Sequence, residues 1–147
     1  MTVDVVTEIT IDRPVPEVAA YAADPANAPE WYDNIESVKW ETPPPAALGS
    51  RVAFVARFLG RRLAYTYELV ELVPDERLVM RTAEGPFPME TTYTWADAGD
   101  GATLMTLRNR GTPTGFKGIA APLMARAVRR ANEKDLRQLK DVLERPG

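Results

Sequence analysis

A single α+β domain over residues 1–147, with seven antiparallel strands followed by one long helix, is what this sequence predicts. Three observations lead there. Seven stretches alternate apolar and polar residues with a period of two, the mark of strands with one dry face, and short turn-forming loops join most of them in antiparallel order. The last third changes to helical spacing from about Phe116 to Leu143 and is rich in small side chains. Two shorter helical stretches separate the first strand from the second. A sheet that ends in a single long helix either closes on it as solid core or curves around it and leaves a cavity. Only the second outcome makes a binding protein.

Strand one places Val3, Val5, Thr7, Ile9 and Ile11 on one side, alternating with Asp4, Val6, Glu8, Thr10 and Asp12. Arg13-Pro14 breaks it, and Pro14 to Ala23 carries Val15, Val18, Ala19 and Ala22 at helical spacing, with Asp12 available as a cap. Asp24-Pro25 ends that helix, and Ala26 to Tyr32 forms a second brief one that presents Trp31 and Tyr32. Strand two is Ile35 to Glu41. Thr42-Pro43-Pro44-Pro45 cannot donate ladder hydrogen bonds and forms a rigid loop. Strand three, Gly49 to Phe58, turns at Gly60-Arg61 into strand four, Arg62 to Val73, whose length predicts a bend or bulge toward Val73. Strand five is Arg77 to Ala83, strand six Met89 to Ala96 and strand seven Ala102 to Gly111, the last two joined by a hairpin over Asp97 to Gly101. In the long helix Phe116, Ile119, Ala120, Leu123, Ala127, Ala131, Leu139 and Leu143 form the apolar stripe, and Pro122 either sits in a first turn or kinks the helix into two pieces.

Composition removes several function classes. With no histidine and no cysteine there is no Ser-His-Asp or Cys-His device, no disulfide framework and no histidine-containing metal motif. Neither a metal nor another cofactor is expected. Eighteen basic against twenty-one acidic side chains give a formal charge of −3, without the basic domain that nucleic acid requires. No apolar run approaches the roughly 20 residues that span a bilayer, and Met1-Thr2-Val3-Asp4 opens into a strand without a basic leader. These features predict a soluble, unprocessed, cytoplasmic chain of unspecified oligomeric state.

The element order, together with particular residues, resembles a known superfamily across essentially the whole chain. The marks are Ile11-Asp12-Arg13-Pro14-Val15-Pro16-Glu17-Val18, Pro29-Glu30-Trp31, Gly49, Glu71-Leu72-Val73-Pro74-Asp75-Glu76-Arg77-Leu78, Gly101-Ala102-Thr103, and Leu136-Arg137-Gln138-Leu139-Lys140 with Glu144. They resemble the START-related helix-grip proteins (SRPBCC), specifically the polyketide cyclase/dehydrase and lipid transport branch. Most are scaffold turns, so they speak to architecture more than to activity. The resemblance implies a curved seven-stranded sheet gripping the C-terminal helix and an elongated apolar cavity between them.

On that fold the Gly60 hairpin, the loop Gly85 to Pro88 and the loop Gly111 to Gly115 would form a mouth ringed by Phe58, Phe87 and Phe116. Further in, the lining would come from Phe54, Ala56, Tyr65, Tyr67, Leu69, Met80, Thr82, Met89, Thr91, Tyr93, Met105, Leu107 and Asn109, faced by Ile119, Ala120 and Leu123. Many of these positions could equally be ordinary core. The polar minority is more telling, because buried Tyr65, Tyr67, Thr82, Thr91, Tyr93 and Asn109 each need a hydrogen-bond partner. Trp31 is read as the anchor of its short helix and Trp95 as structural. Glu71, Arg81 and Arg108 are read as exposed or ion-paired on the outer face. The expected function is carriage or sensing of a small hydrophobic molecule such as a lipid, an isoprenoid or a polyketide-like aromatic. Two alternatives stay open: an aromatase/cyclase-like enzyme, and an interaction module of the coenzyme-Q-binding or antitoxin type.

Overall fold

The computed structural model describes residues 2–116 and 118–146; Met1 at the opening of strand one, Lys117 within the expected helix range and Gly147 lie outside the described residues. The strands are β1 (Val3–Ile11), β2 (Ile35–Trp40), β3 (Arg51–Phe58), β4 (Arg61–Val73), β5 (Arg77–Glu84), β6 (Met89–Gly99) and β7 (Ala102–Gly111); the helices are α1 (Val15–Ala22), α2 (Ala28–Trp31) and α3 (Ala121–Glu144). A single turn of 3₁₀ helix, Pro25–Asn27, joins α1 to α2. All seven strands belong to one antiparallel sheet in the order β1-β7-β6-β5-β4-β3-β2. Because β1 and β2 lie at opposite edges, α1 and α2 carry the chain across the width of the sheet.

Irregularities in the ladders curve the sheet. Register shifts occur at Ile35/Ser37, at Thr66/Tyr67, at Leu69/Glu71 and at Asp97/Gly99, and a bulged strand bends and twists more strongly than a regular one. The shift at Leu69/Glu71 also reverses the facing of β4. Leu69 stays buried, whereas Glu71 turns to solvent and pairs with Arg77 at 3.0 Å. The hairpins are tighter than the sequence reading has them. Leu59 (φ 50°) and Gly60 (φ 79°) form the β3–β4 turn, one residue earlier than expected, and Asp100-Gly101 alone turns β6 into β7 while the strands pair up to Gly99 and Ala102. Two-residue turns with both φ values positive match the right-handed twist of the strands they join.

The expected helix from Phe116 begins five residues later. Pro122 occupies the first turn of α3, where its missing N–H has no intrahelical partner to lose, so there is no kink. Asp12 does not cap α1. Its N–H instead donates to Glu144 Oε2 at 2.7 Å, tying the end of β1 to the end of α3. The same edge is fastened twice more, by Lys140 Nζ to the Thr10 carbonyl at 2.8 Å and by Arg129 Nη1 to the Val6 carbonyl at 3.0 Å.

The solid core sits toward the α1–α2 end, where Ile11, Val18, Trp31, Leu78, Trp95, Met105, Leu107, Leu136 and Leu139 pack in one cluster. Trp31 is fully buried and anchors α2. At the other end a smaller cluster of Val3, Val5 and Met124 is flanked by Phe58, Phe116 and Ile119. Between the two the interior is hollow.

Candidate functional site

Concave-face residues of β3 to β7 and one face of α3 bound a partly open cavity of about 170 Å³. That is room for about half a dozen waters at roughly 30 Å³ each, or for one small organic ligand, below the roughly 300–1,000 Å³ usual for ligand pockets. Its helical wall follows from helix geometry. Met124, Val128, Ala131, Asn132 and Asp135 line it, a run of positions i, i+4, i+7, i+8 and i+11 that all lie on one side of α3. From Met124 to Asp135 that wall is about 16 Å long at 1.5 Å per residue.

The mouth assembles from the three expected loops. The Phe58 and Phe116 rings meet edge-on with centroids 5.9 Å apart, and Phe87 meets Phe116 at 6.1 Å. Arg61 closes the group, its guanidinium 5.4 Å from the Phe116 ring centre and its Nη1 donating to the Thr114 carbonyl at 2.5 Å. Gly111 is required there by close approach, since a Cβ at that position would lie 2.7 Å from the Pro88 carbonyl oxygen.

Inside, apolar walls carry an ordered polar thread. The Tyr67 hydroxyl donates to Thr91 Oγ1 at 2.8 Å, Thr91 donates to Asn109 Oδ1 at 2.5 Å, and Asn109 Nδ2 donates to Asn132 Oδ1 at 3.1 Å. The direction is forced: Asn109 Oδ1 can only accept, so Thr91 spends its proton there and must receive one from Tyr67. The thread joins β4, β6, β7 and α3. A second group lies beside it. The Tyr32 and Tyr93 hydroxyls share a hydrogen bond of 2.6 Å, and Asp135 Oδ1 accepts the Asp33 N–H at 3.1 Å. The Tyr65 hydroxyl and Asp135 Oδ2 have no hydrogen-bond partner among the described residues, and Asn132 Nδ2 is buried without one.

Burial sets the protonation of this wall. It pushes the Tyr67 hydroxyl up to about 12, moderated by the bond to Thr91, and drives Tyr32, Tyr65 and Tyr93 higher than the usual tyrosine range. All four are neutral hydrogen-bonding groups at any physiological pH. Asp135, only 4% exposed, is pushed up to about 7, chiefly by burial, with the Asp33 N–H bond pulling the other way.

Of the nineteen residues expected to ring or line the cavity, Phe54, Ala56, Phe58, Tyr65, Tyr67, Met80, Phe87, Met89, Thr91, Tyr93, Asn109 and Phe116 do border it. Seven do not. Met105 and Leu107 are in the solid core with no exposed surface, and Leu69 packs there too, beside a void the size of one water. Thr82 is drawn aside by its backbone partner, Oγ1 both accepting the Met89 N–H at 2.7 Å and donating to its carbonyl at 2.9 Å. Ile119 packs on the mouth cluster from outside the cavity. Leu123 is 58% exposed, because the stripe facing the sheet is rotated by one residue and runs through Met124. Ala120 stands before α3 at its N-cap, in extended conformation, and is exposed. Sequence reading missed Tyr32, Met124, Val128, Asn132 and Asp135. The missing signal was the i, i+3, i+4 spacing of Met124, Val128, Asn132, Asp135 and Leu136, which is visible only if an Asn and an Asp are allowed on a buried face. Arg81 and Arg108 lie on the outer face, bonded to Glu90 at 2.8 Å and to Asp4 at 2.8 Å.

Among the described residues no helix is long and apolar enough to cross a membrane. Comparison with solved structures returns the same architecture. The chain is similar to a START superfamily protein from Mycobacterium smegmatis (12% identity, TM-score 0.83, 96% of this chain and 97% of that one). It is also similar to TTHA0849 from Thermus thermophilus (22%, 0.81, 95% and 96%) and to the Zhui aromatase/cyclase from Streptomyces sp. R1128 (17%, 0.79, 99% and 95%). At these identities the likeness establishes the fold. No curated protein matches by sequence. The family model described as polyketide cyclase/dehydrase and lipid transport matches residues 2–144. With nearly its whole length matched and the helix-grip architecture in place, the chain belongs to the polyketide cyclase/dehydrase and lipid transport family.

Proposed function

We propose that this protein binds one small, largely apolar molecule non-covalently between its sheet and α3, as a carrier or sensor. The observation that carries this reading is the cavity itself, a hollow of about 170 Å³ in a domain whose other end packs solidly. Apolar walls supply affinity through water release, and a few fixed polar groups supply orientation. The cyclase reading calls for Glu71 or an arginine beside Tyr67, and Glu71, Arg81 and Arg108 are all engaged on the outer face. Asp135 is the one residue that favours it, as an acid titrating near neutrality within a cavity.

The test uses N-phenylnaphthylamine, an uncharged reporter that fluoresces in apolar surroundings. The native protein is expected to bind it at one site, and an Ala131→Phe variant, which places a ring in the hollow, is expected to lose it while melting as cooperatively as the native chain. Undiminished binding by Ala131→Phe, or no binding by the native protein, would refute the reading.

A further inference from the structure

We propose, building on the cavity reading above, that the hollow selects an uncharged ligand bearing a carbonyl or hydroxyl oxygen and turns away carboxylates, with Asp135 as the residue that sets this preference. The lining is poor in charged groups. Apart from tyrosines, its only ionisable side chains among the described residues are Asp135 and Arg110. Arg110 brings no positive charge inside, because it stands on β7 one residue out of phase with Asn109 and its guanidinium binds Glu90 on the opposite face at 2.9 Å. Lys134, the neighbour of Asp135, is drawn outward to Asp33 at 3.0 Å. Arg61 is held at the mouth by the Thr114 carbonyl. Among the described residues the polar interior is therefore built of oxygen atoms and amides without a cation.

A ligand carboxylate placed among them would carry its charge into a lining with no cation among the described residues to neutralise it, and would be repelled by Asp135 in its ionised form. An uncharged oxygen is matched. Among the described residues the Tyr65 hydroxyl has a proton to donate and no partner to receive it, and Asp135 Oδ2 accepts no hydrogen bond. An amine is less well served, since Asp135 retains its proton to about pH 7 and offers it no full countercharge. Size supports the same class. The free polar atoms lie near one end of a helical wall about 16 Å long, so a compact skeleton with one oxygenated end fills the space with that end inward.

The experiment titrates four probes on one skeleton into the native protein at neutral pH: naphthyl methyl ketone, naphthalenemethanol, naphthoic acid and naphthylmethylamine. The ketone and alcohol are expected to bind about tenfold or more tighter than the acid, a gap of one pKa-unit equivalent or more. Asp135→Asn is expected to narrow that gap about fivefold by admitting the acid, while alcohol affinity moves less than threefold. Three results would overturn the selectivity: an acid that binds as well as the ketone, including through Arg61 at the mouth; an amine that binds tightest; or a gap unchanged in a folded Asp135→Asn variant. If N-phenylnaphthylamine binds and the four probes are not distinguished, only the selectivity falls. If the reporter and all four probes fail, the cavity reading falls with it.

Discussion

Asp135 makes a quantitative prediction about stability. In the unfolded chain its carboxyl titrates at the ordinary 3.8; in the folded protein burial holds the proton until about pH 7. Between those values the folded state binds the extra proton, so stability falls as pH rises, and the full cost is present above pH 7. Three pKa units at 1.36 kcal/mol each place that cost at about 4 kcal/mol. Asn is nearly isosteric, cannot ionise, and keeps an Oδ1 to accept the Asp33 N–H. Asp135→Asn should therefore match the native protein at pH 4 and exceed it at pH 8 by up to about 4 kcal/mol, a rise in Tm of roughly 8–16 °C for a domain of this size. Urea unfolding followed by tryptophan fluorescence across pH 4 to 8 measures both curves. Parallel curves, or a variant less stable at pH 8, would refute the assignment of Asp135 as a desolvated, unpaired acid.

Other expectations follow from single contacts. Tyr67→Phe removes the first donor of the polar thread and should cost about 1–2 kcal/mol in urea unfolding, since Thr91 keeps its own acceptor, Asn109. Trp31→Ala should cost about 3–5 kcal/mol, because the ring is wholly buried and holds α2; a loss below 1 kcal/mol would mean that α2 is not anchored there. Gly111→Ala should lower stability by about 1–3 kcal/mol through the clash with the Pro88 carbonyl, measurable as a lower melting temperature. By contrast Glu71→Gln, which breaks an exposed pair with Arg77, should change stability by less than about 1 kcal/mol and leave reporter binding intact.

Strand order, the paired short helices and the long final helix were all legible from periodicity and turn chemistry, because burial on one face imposes a period of two or 3.6 whatever the tertiary details. The mouth was legible too: Phe58, Phe87 and Phe116 lie at loop positions that a curved sheet brings together. What was not legible depends on exceptions to burial rules. Asn132 and Asp135 look like solvent-facing residues until the cavity that receives them is seen, and assigning them outward rotated the predicted stripe onto Leu123. Met105 and Leu107 share the concave face with Tyr93 and Asn109, and only the packing of α1, α2 and α3 decides where the filled core stops and the hollow starts. The length of β4 announced a bulge toward Val73 and an outward Glu71, but its position at Leu69/Glu71 has no strong local signal.

α3 is fastened along both of its flanks. Arg129, Lys140 and Glu144 stitch it to β1 like a door to its jamb, whereas across the hollow the only sheet-to-helix latch formed by the polar thread is the Asn109–Asn132 amide pair. Gln138, Lys134 and Asp135 hold the far side to Glu30 and Asp33, so a bulky guest that parts helix from sheet should strain the Asn109–Asn132 latch between them, and those two side-chain amide signals should report its entry.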